Sequence, residues 1–149
     1  MPVMNVAKFE RFFRLAASLD VDKEDLRRYN EFIDQETYSL LIRAQATAKA
    51  NGRDVIQPCD IPITKGLQER MHEFKELDQE IELKDVLDQL TKRPPLDLAY
   101  SDATEAKLPS IAGGLSVALA RSFKVIEPGL KNPQTEHWKR AFDLFELVL

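Results

Sequence analysis

Glu69-Arg70-Met71-His72 sets a carboxylate and an imidazole three positions apart, which on a helix puts both on one face. That spacing serves di-metal carboxylate bundles, but the chemistry needs a second such motif and two further carboxylates converging on it. The other histidine, His137, has Gln134 three positions before it. The pair therefore reads as a solvated charged face. Gly114-Leu115-Ser116-Val117-Ala118 approaches a Gly-x-Ser-x-Gly nucleophile elbow but lacks the last glycine. The elbow also needs a strand leading into its turn, and the surroundings here have helical spacing. Cys59 would act as a nucleophile only beside a base and at a helix start; a half-buried structural thiol is the commoner case. The chain has no Gly-rich phosphate loop, paired-cysteine pattern or His-Glu-x-x-His. We expect no catalytic residues, no metal and no cofactor.

Cations offer the other chemistry. Lys8, Arg11 and Arg14 fall in one stretch, Lys23, Arg27 and Arg28 in the next, and Lys49 and Arg53 further on. Together they are the candidate contacts for a phosphate backbone. They are interleaved with Glu10, Glu24, Asp25 and Glu31, the pattern of an ordinary solvated face. The net charge is −4. Residues 1–57 carry 9 basic and 9 acidic groups and residues 58–149 carry 12 and 16, so neither half is a basic module.

These residues have to be positioned by helices. Val6, Phe9, Phe12, Phe13 and Ala16 share one face of a short amphipathic helix ending before Asp20-Val21-Asp22. From Lys23 to Asn51 the apolar positions Leu26, Tyr29, Phe32, Ile33, Leu40, Leu41, Ala44 and Ala48 keep a three-and-four spacing. Asp22 is the expected amino cap, and Gly52 the left-handed stop. At about 1.5 Å per residue this helix is roughly 43 Å long, and the rest of the chain must wrap around it. A brief extended piece at Val55-Ile56 follows. Pro58 and Pro62 confine a third helix start, with Ile63, Leu67, Met71, Phe74 and Leu77 carrying that helix to about Asp78.

The second half is a looser copy. Val86, Leu87 and Leu90 make a short helix, residues 96–101 a loop, and Leu108 to Ile126 another long helix. Pro109 inside it predicts a kink or a late start. Pro128-Gly129 ends it, Asn132-Pro133 restart the chain, and Trp138, Ala141, Phe142, Phe145 and Leu149 form the last buried face. That stripe is expected to turn inward rather than anchor a partner. Gly113, Gly114 and Gly66, all within helical patterns, are expected to let another helix approach closely.

At 149 residues the chain is one domain's worth, and its Leu, Ile, Ala and charge content with 5 glycines suits an all-α protein. A single cysteine fits a reducing compartment. No signal-peptide pattern is present, and the longest apolar run, Ile111 to Ala120, is short of the about 20 residues a bilayer needs. Together these predict a soluble, cytoplasmic protein.

Short–long–short, twice, resembles the histone fold. Asn51 to Ile61 is similar to the second loop and third-helix start of archaeal histones, in which a loop arginine pairs with an aspartate seven residues later. Arg53 and Asp60 hold that spacing. Such a pair is physically sensible, since a guanidinium can hold a carboxylate through two parallel hydrogen bonds. The phrases NGRDVIQPCDIPITKGLQE and LKNPQTEHW more closely resemble a largely uncharacterised bacterial family with two histone folds fused in one chain. The resemblance implies an all-α single domain, residues 1–149. Its two histone-fold units, 1–78 and 79–149, would pack on each other as an intramolecular pseudo-dimer. It also implies a helix-pairing interaction module, with the two halves as each other's partner and further copies or another protein as outside ones. The alternative is a DNA-binding histone-like protein using an atypical basic surface. Asp20 and Asp54 stand where archaeal histones carry basic residues, which disfavours nucleic acid. Pro62 departs from the pattern and predicts that Asp60 also works as a cap.

Overall fold

The computed structural model describes residues 6–91 and 93–149. Of Gln89 and Leu90 only the backbone is described, so the apolar role expected of Leu90 lies outside it. The described residues are mostly helical: α1 (Val6–Ala17), α2 (Lys23–Ala50), α3 (Lys65–Ile81), α4 (Lys84–Leu90), α5 (Asp102–Ile126) and α6 (Thr135–Val148). Two strands of two residues each, β1 (Val55–Ile56) and β2 (Ala99–Tyr100), and a 3-10 turn at Pro58–Asp60 complete the order.

Local sequence sets each boundary. α1 buries Phe9, Phe12 and Phe13 and stops at Ser18, whose φ of 55° is left-handed. Ser18 N then donates to Arg14 O at 2.9 Å and Leu19 N to Phe13 O at 3.2 Å, satisfying carbonyls the helix leaves open. α2 opens with a reciprocal cap. Asp22 Oδ1 accepts from the N–H groups of Glu24 and Asp25, and Asp25 Oδ2 accepts from Asp22 N at 3.0 Å. It closes at Asn51 before Gly52, whose φ of 73° needs a residue without Cβ.

Four expectations are corrected here. The third helix starts at Lys65, because Thr64 caps it by accepting from Leu67 N at 3.1 Å; Pro58 opens the separate 3-10 turn instead. It also runs to Ile81, so a division at 78/79 cuts through a helix. The late start at Pro109 does not occur. Ser101 caps α5 by accepting from Thr104 N at 3.1 Å, and the helix continues through the proline. Gly66 faces open space, with nothing within 4 Å of where a Cβ would stand.

Gly113 and Gly114 do face a neighbour. A Cβ on Gly114 would lie 3.0 Å from the backbone nitrogen of Met71, and one on Gly113 would strike the Phe74 ring. This close approach makes α3 and α5 the tightest helix pair. The core is one continuous cluster spanning all six helices, from Phe9 through Phe32, Met71, Leu87 and Phe123 to Phe145.

Candidate functional site

Two loop junctions at opposite ends of α2 gather several of the polar side chains the sequence singled out. In the first, β1 and β2 pair in parallel, Val55 opposite Ala99 and Ile56 opposite Tyr100. Ile56 O also accepts from Ser101 N at 3.1 Å and from Thr104 Oγ1 at 2.7 Å. The Arg53 guanidinium bonds Asp60 Oδ1, while Asp60 Oδ2 accepts from Gln57 N at 2.8 Å. Asp60 is thus both the arginine's partner and the cap of its own turn, and it is buried.

The second junction brings residues 18–28 against residues 127–138. Asp20 N donates to Lys131 O at 2.7 Å and Arg28 Nη2 to Thr135 Oγ1 at 2.8 Å. Trp138, buried against Phe123 at a ring-centroid distance of 5.0 Å, donates its indole N–H to Asp25 Oδ1 at 2.8 Å. Burial raises the Asp25 carboxyl above its usual range, although the bonds from Asp22 N and Trp138 pull the other way. Gln134 N donates to His137 Nδ1 at 2.9 Å, and His137 Nε2 meets Glu127 Oε1 at 3.2 Å. The accepting Nδ1 carries no proton, so Nε2 is the protonated nitrogen that donates to Glu127.

The candidate cations do not form one patch. Lys23, Arg27 and Arg28 are separated from Lys49, near the other end of α2, by about 30 to 40 Å, and Arg53 lies beyond it. Most are also engaged. Lys8 Nζ donates to Glu82 O at 3.1 Å, Arg11 lies 3.9 Å from Glu80 and Arg14 lies 3.9 Å from Asp20. Arg27 sits between Glu24 and Glu31, Arg28 is 3.7 Å from Asp25, and Lys49 is 2.8 Å from Asp97. Among the described residues, Lys23 has no such partner.

The other motifs are dispersed. Cys59 is exposed on the 3-10 turn rather than half-buried, a correction that follows from Asp60 taking the inward position of that turn. Glu69 accepts from Lys65 at 3.4 Å and His72 lies 3.8 Å from Glu76, all on the outer face of α3. Ser116 is buried and donates to Ala112 O at 2.7 Å while accepting from the Tyr29 hydroxyl at 2.5 Å. No helix among the described residues is long and apolar enough to cross a membrane.

Sequence reasoning missed Asp25, Glu36 and His137 as positioning groups. Periodicity counts polar residues as outward-facing, and only the residue opposite reveals which of them turn in. For Asp25 and His137 a signal was available: each stands three positions after a cap residue, where a side chain can reach back to the cap's N–H.

A mostly helical protein, joined end to end through two loop junctions and with its candidate cations divided between them, is the class this geometry defines. The chain belongs to the family described as a domain of unknown function, DUF1931, which matches residues 9–146. It is 26% identical over 108 residues to an uncharacterised protein of Aquifex aeolicus (strain VF5), covering 72% of this chain and 63% of that one. A second uncharacterised Aquifex aeolicus protein is 29% identical over 136 residues, 83% of this chain and 79% of its own length. The chain thus spans less than two thirds of the first relative. Of solved structures, one from Thermus thermophilus matches with a TM-score of 0.86 at 52% identity over 99% of each chain. An Aquifex aeolicus structure matches at 0.84 with 24% identity, covering 96% of this chain and 94% of that one, which speaks to the fold alone.

Proposed function

We propose that the chain is a tandem histone fold, two short–long–short units packed as an intramolecular pseudo-dimer, and that it works as a non-enzymatic helix-pairing module in the cytoplasm. The seam between units moves from 78/79 to the left-handed turn at Glu82, between α3 and α4. The observation that carries this reading is the crossing of loops. The loop before α2 meets the loop after α5 through Asp20 and Lys131, and the loop after α2 meets the loop before α5 through β1 and β2. Packing agrees, because α3 lies mainly on α5, the long helix of the other unit. A unit that buries its apolar face on its partner is not expected to be stable alone. Expressing residues 1–82 without the remainder therefore yields an aggregated or self-paired product; a soluble, folded monomer of that piece would overturn the reading.

DNA binding has less support. The cations proposed for it are divided between two ends and largely neutralised, and Asp20 and Asp54 carry negative charge into both loops. Fluorescent duplex DNA titrated at two salt concentrations separates the two. The helix-pairing reading expects no binding at low salt, whereas affinity falling steeply with salt would establish the alternative.

A further inference from the structure

Glu36 is 1% exposed in the middle of α2, and its Oε2 has no hydrogen-bond partner among the described residues. It lies in the seam where α6 docks on α2. One turn before it Phe32 packs edge-on to Phe145 at 4.8 Å and to Phe142 at 5.6 Å, and beside it Gln35 donates to Glu146 Oε1 at 2.6 Å. The charge α6 turns toward Glu36 is that of Glu146, a like charge. Among the described residues, nothing in the seam offsets it. α5, packed on another face of α2, has no ionisable residue between Leu108 and Ala120. On α2 itself Asp34 is another acid, and Arg43, nearly two turns on, donates to Leu149 O at 3.3 Å. On α6, Asp143 is taken by Lys139 at 2.8 Å.

We propose that α6 is latched to α2 through an uncharged Glu36, and that ionisation of this carboxyl loosens α6 while the rest of the fold holds. A buried carboxylate without a partner is costly, and the cheapest relief is to let the neighbouring helix lift and admit water. α6 is the element able to yield, since it is joined through the Trp138–Asp25 junction rather than the strand pair. Burial, with Glu146 adding to it, pushes the Glu36 carboxyl up to about 7 from an ordinary 4.5. The sign follows from linkage. Docking is fully favoured below the ordinary value and loses that contribution as pH rises through about 7.

Hydrogen exchange of the full chain tests this, corrected for intrinsic rates and read by peptide at pH 5.5 and 8.5. Opening of residues 135–148 should rise roughly 30-fold across that interval, the ratio for a carboxyl ionising near 7 when docked and near 4.5 when exposed, with residues 23–50 unchanged. Fluorescence of the chain's single tryptophan, Trp138, should shift over the same range. Glu36→Gln should abolish the exchange response and leave only the fluorescence change that Asp25, bonded to the Trp138 indole, imposes on its own, and Glu146→Gln, which removes only the like charge, should move the midpoint to lower pH. Equal protection of α6 at the two pH values, or an unaltered response in either folded variant, overturns the proposal.

Discussion

The two junctions solve one geometric problem with different chemistry. Both place the third residue after a cap across the gap: Thr104, after Ser101, reaches Ile56 O, and Asp25, after Asp22, receives the Trp138 indole. Both also tie the loop back onto the element that follows. Asp60, three after Gln57, takes Gln57 N and Arg53; His137, three after Gln134, takes Gln134 N and Glu127. The charge order is reversed, cation before acid in one loop and acid before imidazole in the other. What the halves share is therefore placement rather than residue identity. The strand junction adds a backbone ladder to its side-chain ties, whereas the other has one backbone bond, Asp20 N to Lys131 O, and otherwise joins through side chains.

The largest separation between the two should come from their loop ties. Asp60→Ala leaves the Arg53 guanidinium and Gln57 N without the acceptor that is 2% exposed, and should cost about 3 kcal/mol by urea denaturation. His137→Ala removes a neutral tie and should cost about 1 kcal/mol. Equal losses would show that the ionic tie holds its loop no better than the neutral one. Next in size is Trp138→Phe, which keeps the ring contact with Phe123 but strips a bond from the buried Asp25, at about 2 kcal/mol near neutral pH. That bond holds the Asp25 carboxyl down against burial, so removing it raises the carboxyl further. A raised carboxyl contributes fully below its ordinary range and loses that contribution as pH rises, so the deficit should shrink on acidification. Asp25→Asn in the same background should recover part of it, a coupling that a double-mutant cycle measures.

How much of this could be read from the sequence divides along the same line. The helices were legible from apolar spacing and from Asp22 and Gly52, because those signals act within a few residues. Arg53 and Asp60 drew attention because the resemblance supplied a spacing for them. The strand pair was not legible. Val55 and Ala99 are 44 positions apart, and a two-residue strand has no periodicity of its own. Cys59 and Gly66 were misplaced for a related reason, since exposure depends on what another segment covers. Glu36 was hidden by its type. A glutamate in an amphipathic pattern reads as solvent-facing, and its burial between α2 and α6 follows from Phe142 and Phe145 more than a hundred residues later.

The finer contrast lies between two hydroxyls. Thr104→Val removes the 2.7 Å bond to Ile56 O and the 2.8 Å bond accepted from Ser101 Oγ, but leaves Ile56 O satisfied by Ser101 N, and a buried methyl replaces the hydroxyl. The cost should be about 1 kcal/mol, because the half-buried Ser101 hydroxyl still accepts from Thr104 N and can turn its own proton to water. Thr135→Ala removes the 2.8 Å contact to Arg28 at the other junction, where water can take the hydroxyl's place and Asp25 remains 3.7 Å from the guanidinium. Its cost should stay below roughly 0.5 kcal/mol. Thermal denaturation of the two single variants decides the matter. If Thr135→Ala proves the more damaging, Arg28 is holding the second junction through that hydroxyl, and the tie assigned to Trp138 and Asp25 is the lesser one.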